Sequence, residues 1–282
     1  MTETSNTSYD DSYFDWLDET ALGSARLIVP IVMELMHVRS VVDVGCGRGA
    51  WLSVFEGLGV KHVLGIDAPH VDPERLAIPR SRFMAHDLRK PLRHNERFDL
   101  VVCLEVAEHL PLSSAASLIQ TLVDLGPVIL FSAAIPGQGG LGHVNEQWPD
   151  YWAALFAQHG YRPIDCIRPR VWDDPRVEVW YAQNTILFAS PHAIDHNSSF
   201  RMLSNLPPTP FSIVHPRLFL EPRRPTVRAL MSAIKASLVG YAKRGILALL
   251  AAREAGTRTF GTHRDGETEV ETDRPTQGRA QP

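Results

Sequence analysis

Apolar and polar positions along this chain follow a rhythm that switches between two periods. Thr20 to His37 carries apolar anchors at Leu22, Leu27, Val32, Leu35 and Met36, a spacing that predicts a helix. Ser40 to Val44 is a short β-branched run and reads as a strand. Ala50 to Leu58 returns to helical spacing and ends at Gly59. The alternation then repeats. Strands are predicted over His62–Ile66, Arg82–Ala85, Phe98–Leu104 and Pro127–Ser132, with helices over Ser113–Leu125 and Trp148–His159. Arg162–Arg168 and Val177–Ala189 read as two more strands, joined by a hairpin-like connection at Trp172–Pro175. Strands alternating with helices and then closing on a hairpin predict an α/β fold. Its sheet is doubly wound and seven-stranded, with one antiparallel edge, over residues 21–190.

The flanks differ in character. Residues 1–20 are polar and acidic and read as a flexible segment, although Tyr13, Phe14, Trp16 and Leu17 could dock. Residues 191–225 hold Pro207, Pro208, Pro210, Pro216, Pro222 and Pro225 and read as an irregular, Pro-rich linker. Residues 226–254 set Leu230, Ile234, Leu238 and Leu249 against Arg228, Lys235, Lys243 and Arg253, which predicts an amphipathic, basic helix as a C-terminal extension. Such a helix either packs on protein or makes a peripheral membrane contact. Residues 255–282 are charged and polar, and are predicted to be disordered.

Composition narrows the function classes. The chain has 282 residues, 28 basic and 32 acidic, and a formal net charge of −4. That balance gives no electrostatic footprint for nucleic acid and counts against it as a partner. Cys46, Cys103 and Cys166 are too few and too widely spaced for a disulfide framework or a cysteine zinc site. The N-terminus shows neither a basic n-region nor an apolar h-region. Leu125–Asn145 is uncharged, but Pro127, Pro136 and five glycines interrupt it, so it reads as strand and loop rather than a membrane span. A cytoplasmic location is the expectation; the oligomeric state is not legible.

The first strand runs into Gly45-Cys-Gly47-Arg-Gly49 and then into a helix, a turn that lets a ligand approach backbone without meeting a Cβ. Three carboxylates qualify that loop. Asp43 lies two residues before Gly45, where it suits a cationic ligand group better than a pyrophosphate. Asp67 ends the second strand, where a carboxylate can bind both hydroxyls of a ribose. Asp87 follows the third strand, within reach of an adenine amino group.

In that setting Val41-Val-Asp-Val-Gly-Cys-Gly-Arg-Gly49 resembles motif I of class I S-adenosylmethionine-dependent methyltransferases. Gly65-Ile-Asp67 is similar to their motif II, Ala85-His-Asp87-Leu88 to motif III, and Phe98 to Leu110 to motif IV and its extension. The resemblance implies a Rossmann-like domain and an S-adenosylmethionine cofactor. It implies that Gly45 and Gly47 meet the methionine part, Asp67 the ribose and Asp87 the adenine region, with Asp43, Leu88 and Glu105 as further cofactor-binding residues. A nicotinamide enzyme is disfavoured by Asp43 and the closing hairpin; a non-catalytic binding or assembly module that keeps the fold stays open.

Methyl transfer needs an aligned nucleophile and a place for its proton. Glu105-Val-Ala-Glu108-His109 follows the fourth strand, at the sheet end where α/β ligands bind. This Glu-x-x-Glu-His pattern resembles that of methyltransferases acting on catechol-like oxygens. It also resembles that of RNA 2′-O-methyltransferases whose two glutamates and histidine hold a divalent ion with a second histidine. His143 is the candidate for that second histidine. The expected metal set is therefore Glu105, Glu108, His109 and His143; the metal-free alternative makes His109 or His143 the base, with Glu105 supporting. Asn145, Glu146, Gln147, Trp148 and Trp152 follow, as candidates for contacts to a polyhydroxylated substrate or, for Trp152, as core. Trp180-Tyr-Ala-Gln-Asn184 adds a looser resemblance to methyltransferases of glycan or secondary-metabolite synthesis. The reading is O-methylation of a small-molecule or sugar/glycan hydroxyl, with metal-assisted RNA methylation as another alternative.

Overall fold

The computed structural model describes residues 11–206 and 210–220 of the chain. Helix α1 spans Asp11–Leu35, so half of the segment expected to be flexible is helical. Strand β1 is Ser40–Val44, α2 Ala50–Gly57 and β2 His62–Asp67. Next come β3 (Phe83–Ala85), β4 (Leu100–Leu104), α3 (Ala115–Leu125) and β5 (Val128–Ser132). Helix α4 covers Pro149–Ala157 and β6 Arg162–Ile164. Helices α5 (Arg168–Val171) and α6 (Val179–Asn184) precede β7 (Ile186–Ala189).

The seven strands lie in the order β3-β2-β1-β4-β5-β7-β6. β1 pairs in parallel with both β2 and β4, while β7 runs antiparallel to β5 and β6. The direction of winding reverses between β1 and β4, and ligands of such sheets bind at the carboxyl ends of the strands beside that reversal.

Side-chain alternation splits the core into two layers. Val41, Leu100, Val102, Leu130 and Leu187 face α1, α2 and α6, against Ile28, Leu52, Phe55 and Ala182. Val42, Val101, Cys103, Ile129 and Phe188 face α3 and α4, against Leu118, Leu122, Trp152 and Phe156. Phe156 stacks on Phe188 with ring centroids 4.0 Å apart. Cys46, Cys103 and Cys166 are all buried, unpaired thiols.

Two expectations fail in the closing region. The strand expected over Arg162–Arg168 stops at Ile164, and the one expected over Val177–Ala189 is a helix up to Asn184. β6 and β7 still form the expected closing antiparallel pair, but α5 and α6, rather than a turn at Trp172, connect them. Arg168 is the reason at the first boundary. Its buried guanidinium binds the Asp165 carboxylate at 2.6 and 3.0 Å and the Phe211 carbonyl at 2.8 Å, which forces a turn. A helix over Val179–Asn184 brings Gln183 and Asn184 together inside the fold, which an extended strand would send to opposite faces.

The Pro-rich linker expected over 191–225 is largely ordered. Pro191–His196, Ser198–Ser204 and Pro216–Leu220 form helices α7, α8 and α9. Pro191 and Pro216 occupy first helical positions, where a missing N–H costs nothing. Ser190 and Asn197 cap α7 and α8 through side-chain oxygens. The compact unit extends to Glu221 rather than ending at 190. Residues 1–10, the amphipathic helix expected over 226–254 and the tail expected over 255–282 lie outside the described residues.

Candidate active site

The turn after β1 brings three glycines into left-handed backbone, and their surroundings differ. A Cβ on Gly45 would sit 2.3 Å from Val106 Cγ2, so that position is filled by the residue after Glu105. Gly47, at φ 53°, faces nothing within 4 Å, which leaves its backbone open to a ligand. Asp67 Oδ2 accepts from the Gly47 amide at 2.7 Å and Oδ1 from the Ala68 amide at 2.6 Å. These bonds fix the carboxylate at the end of β2. Burial raises its pKa against the pull of both amides. Arg48 Nη1 donates to Asp18 at 3.1 Å and ties α1 to the loop.

Asp43 is 2% exposed, and its Oδ2 has no hydrogen-bond partner among the described residues. Burial, and then the nearby Asp67 charge, push its pKa well up. A buried carboxyl with a free oxygen next to an open glycine cradle fits the cationic methionine end of S-adenosylmethionine. The cofactor's site is therefore supported by two features of this fold, the open face of Gly47 and the orphaned oxygen of Asp43.

Asp87 stands at the carboxyl end of β3. Its oxygens accept from Arg89 Nε at 2.8 Å and Nη2 at 2.9 Å. That side-chain pairing lowers its pKa to about 2. Leu88 is half-buried and packs on the α3 layer.

Glu105 ends β4 with φ 54°, and is the one described non-glycine residue in left-handed backbone. Its amide donates to both the carbonyl and the hydroxyl of Ser132, each at 3.0 Å. Its carboxylate accepts from Asn184 Nδ2 at 3.1 Å and Gln138 Nε2 at 3.0 Å. Asn184 also donates to Gln138 Oε1 at 2.9 Å, closing a triangle of side chains from β4, the loop after β5, and α6. Burial raises the Glu105 pKa and the amide donors oppose it. Strain of this kind persists only where surrounding bonds enforce it, and it collects at functional sites.

Glu108, His109 and His143 converge. One ligand atom from each lies within 4.8 Å of the others, and the two imidazoles stand edge to face with centroids 4.9 Å apart. Glu108 is fully buried, and neither carboxylate oxygen has a hydrogen-bond partner among the described residues. Burial, and then the neighbouring Glu105 charge, raise its pKa well above its ordinary value. Two imidazoles and a carboxylate with free lone pairs form a donor set suited to a divalent ion. Glu105, expected as a fourth ligand, is directed to Asn184 and Gln138 instead. His109 is exposed, yet partial desolvation and the adjoining His143 hold its pKa below the ordinary imidazole value. His143 Nδ1 lies 2.9 Å from Glu146 Oε1, and Glu146 also accepts from the Gly137 and Gly139 amides at 2.6 and 2.7 Å. Burial works against a charged Glu146, but these bonds hold its pKa below the ordinary value.

The other candidates sort by contact. Asn145 is buried and bonds to the Ala107 carbonyl and to Gln147, and Trp152 is 2% exposed in the core. Trp148 is 40% exposed and available at the rim. Gln138 and Ser132 gained roles that no local pattern announced, while Asn184 closes the Trp180–Asn184 stretch named above. Two adjacent amides, Gln183-Asn184, in an otherwise apolar stretch were the available signal. No helix among the described residues is long and apolar enough to cross a membrane.

Comparison with known proteins follows the same lines. The family model described as "Methyltransferase domain" matches residues 22–164, just over half of the chain. A ubiquinone biosynthesis O-methyltransferase from Glaesserella parasuis serovar 5 (strain SH0165) is 32% identical over 98 residues. That match covers 31% of this chain and 40% of the relative, so less than half of its length is spanned. The magnesium protoporphyrin IX methyltransferase of Synechocystis PCC 6803, solved with bound S-adenosylhomocysteine, is 16% identical over 66% of this chain and 90% of its own, with a TM-score of 0.47. The sugar N-methyltransferase KedS8 from Streptoalloteichus sp ATCC 53650 is 15% identical over 67% and 98% of the two chains, with a TM-score of 0.48.

Proposed function

Because the chain belongs to the methyltransferase-domain family and is an S-adenosylmethionine-dependent methyltransferase, we propose that it methylates a hydroxyl oxygen of a small-molecule or glycan acceptor. The observation that carries this reading is the His143–Glu146 pair beside His109, at the carboxyl ends of β4 and β5. With Nδ1–H donated to Glu146, His143 keeps Nε2 as an acceptor, and the carboxylate stabilises the imidazolium formed when Nε2 takes the hydroxyl proton. The 32% identity to an O-methyltransferase supports oxygen as the acceptor atom. The cofactor supplies an electrophilic methyl group and a neutral thioether leaving group. The chain's part is to align the hydroxyl, hold its proton and exclude water. Glu105, fixed by Asn184 and Gln138, presents negative charge towards the methionine end of the cofactor.

A second reading has its own observation. The unpartnered Glu108 oxygens beside His109 and His143 favour a divalent ion held by those three residues. Such an ion would lower the hydroxyl's pKa and position it. The two readings separate in one assay: methyl transfer from labelled cofactor into an acceptor-containing cell extract, with and without EDTA, by wild type and His143→Ala. Activity that survives EDTA and drops about a hundredfold or more in His143→Ala supports the general base. Loss in EDTA with recovery on adding a divalent ion supports the metal. Undiminished transfer by His143→Ala sinks both.

A further inference from the structure

Residues 210–220 form a strap tied to α5 and α6. Arg168 Nη1 donates to the Phe211 carbonyl at 2.8 Å and to the Gln183 carbonyl at 3.4 Å, joining strap and helix. His215 is the one buried residue of the strap. Its Nδ1 accepts from the Arg217 amide at 3.1 Å, so Nε2 carries the proton and donates it to the Trp172 carbonyl at 2.7 Å. The His215 and Trp172 rings lie 4.4 Å apart. The His215 amide in turn donates to Gln183 Oε1 at 2.7 Å. Gln183 is fully buried. A backbone N–H can only donate, so it decides which end of the Gln183 amide faces the strap. Nε2 is left to donate to Asn184 Oδ1 at 2.9 Å. Asn184 must then turn Nδ2 the other way, to Glu105 at 3.1 Å and to Gln138 Oε1 at 2.9 Å. With its oxygen so engaged, Gln138 gives Nε2 to the other Glu105 oxygen at 3.0 Å. The orientation of three amides, and both donors on Glu105, thus trace back to one backbone N–H. Without it, Gln183 and Asn184 can turn over together and set a carbonyl oxygen against the carboxylate.

We propose that the strap is a working part of the methyltransferase site: through the His215 amide, Gln183 and Asn184, it orients the donors that hold Glu105 in place for the cofactor. Gln183 and His215 are positioning residues that act through Glu105. The inference rests on the cofactor role of Glu105 and adds the segment that controls it. Both α6 and the strap lie beyond residues 22–164, the stretch matched by the family model. Coupling of this kind is reciprocal, so a strap that favours cofactor binding when docked is held down by the cofactor to the same degree.

Calorimetry with S-adenosylhomocysteine on the full chain compares wild type, Gln183→Met and Glu105→Gln, each below its melting temperature. Gln183→Met is close in volume and removes both ends of the amide. A hydrogen bond to a charged group is worth about tenfold in affinity, so the dissociation constant of Gln183→Met should rise about tenfold with the number of sites per chain unchanged. A merely structural role would lower the number of sites and leave the constant of the remaining ones alone. That result overturns the proposal, as does an isotherm like that of wild type. Hydrogen exchange on wild type reads the strap without any substitution. S-adenosylhomocysteine should slow exchange of the His215 amide about tenfold more than it slows the amides of α3. Equal slowing of both contradicts the coupling. Glu105→Gln tests the premise separately. An affinity within about twofold of wild type would remove Glu105 from the cofactor site, and the role of the strap with it, whereas a loss in Glu105→Gln without one in Gln183→Met overturns the strap alone.

Discussion

Gly140 holds no ligand and joins no helix or strand, yet the position of His143 depends on it. A Cβ at Gly140 would lie 2.2 Å from His143 Nε2, 2.4 Å from Cε1 and 2.7 Å from Cδ2. Unbonded carbon atoms settle at about 3.5–4.0 Å, so in Gly140→Ala the ring must retreat by roughly 1 Å or more. The retreat either breaks the 2.9 Å bond to Glu146 or drags that bond along, and in both cases Nε2 leaves its place. A misplacement of about 1 Å costs on the order of a hundredfold in rate, close to 2.7 kcal/mol of barrier. Gly140 is exposed in an irregular loop, but its φ of 158° strains any L side chain, so the folding free energy should fall by about 1–3 kcal/mol. The assay is the initial rate of label transfer from the cofactor to the acceptor, made below the melting temperature of the variant, with S-adenosylhomocysteine affinity as control. A rate within about threefold of wild type in folded variant would refute the role given to His143.

The remaining predictions concern the carboxyls and their partners. Asp87, paired by Arg89, should titrate at about 2 in a carbon-13 NMR titration. Because the folded value lies below the unfolded one, the pairing stabilises the fold at pH above about 4 and is lost as pH falls towards 2. Arg89→Ala should return the midpoint to about 3.9, and an unmoved midpoint would contradict the pairing. Asp43 behaves in the opposite sense, since its folded pKa is raised. Ligand-free stability should fall as pH rises above about 3.9, and Asp43→Asn should melt higher than wild type at neutral pH while binding S-adenosylhomocysteine more weakly. Lower melting at neutral pH would show that Asp43 has a partner in the free protein. Asn184→Leu leaves Glu105 and Gln138 each short of a donor, and should cost about 1–3 kcal/mol in chemical denaturation. A change under about 0.5 kcal/mol would mean that the triangle is not held together by these bonds.

Much of the frame was legible because it depends on local signals. The β-branched run over Ser40–Val44, the glycines after it and the carboxylates closing β1 and β2 declare themselves within a few residues. Val41 and Val42 even announce the two core layers, since period-two alternation sends them to opposite faces. The failures share one cause. Val177, Val179 and Tyr181 alternate like a strand, yet Val179–Asn184 is helical, and Asn184 there bonds to Glu105, 79 positions away in the chain. Arg168 likewise breaks the expected strand through the Phe211 carbonyl, 43 positions on. Prolines read as an irregular linker where they begin helices, and an acidic N-terminal stretch read as flexible where part of it starts α1. At the site, Asp43, Gly47 and Asp67 were readable. The role of Gln138 and the bond of Asn184 to Glu105 were not, because each acts through a partner brought in by the fold.

The proposed methyl transfer to oxygen at the His143 site is tested most directly by the product formed from carbon-13-methyl S-adenosylmethionine by wild type in an acceptor-containing extract, read by carbon-13 NMR. A single enriched methoxy resonance is expected, absent with His143→Ala. An enriched N-methyl or C-methyl resonance, or a methoxy signal undiminished in His143→Ala, would contradict it.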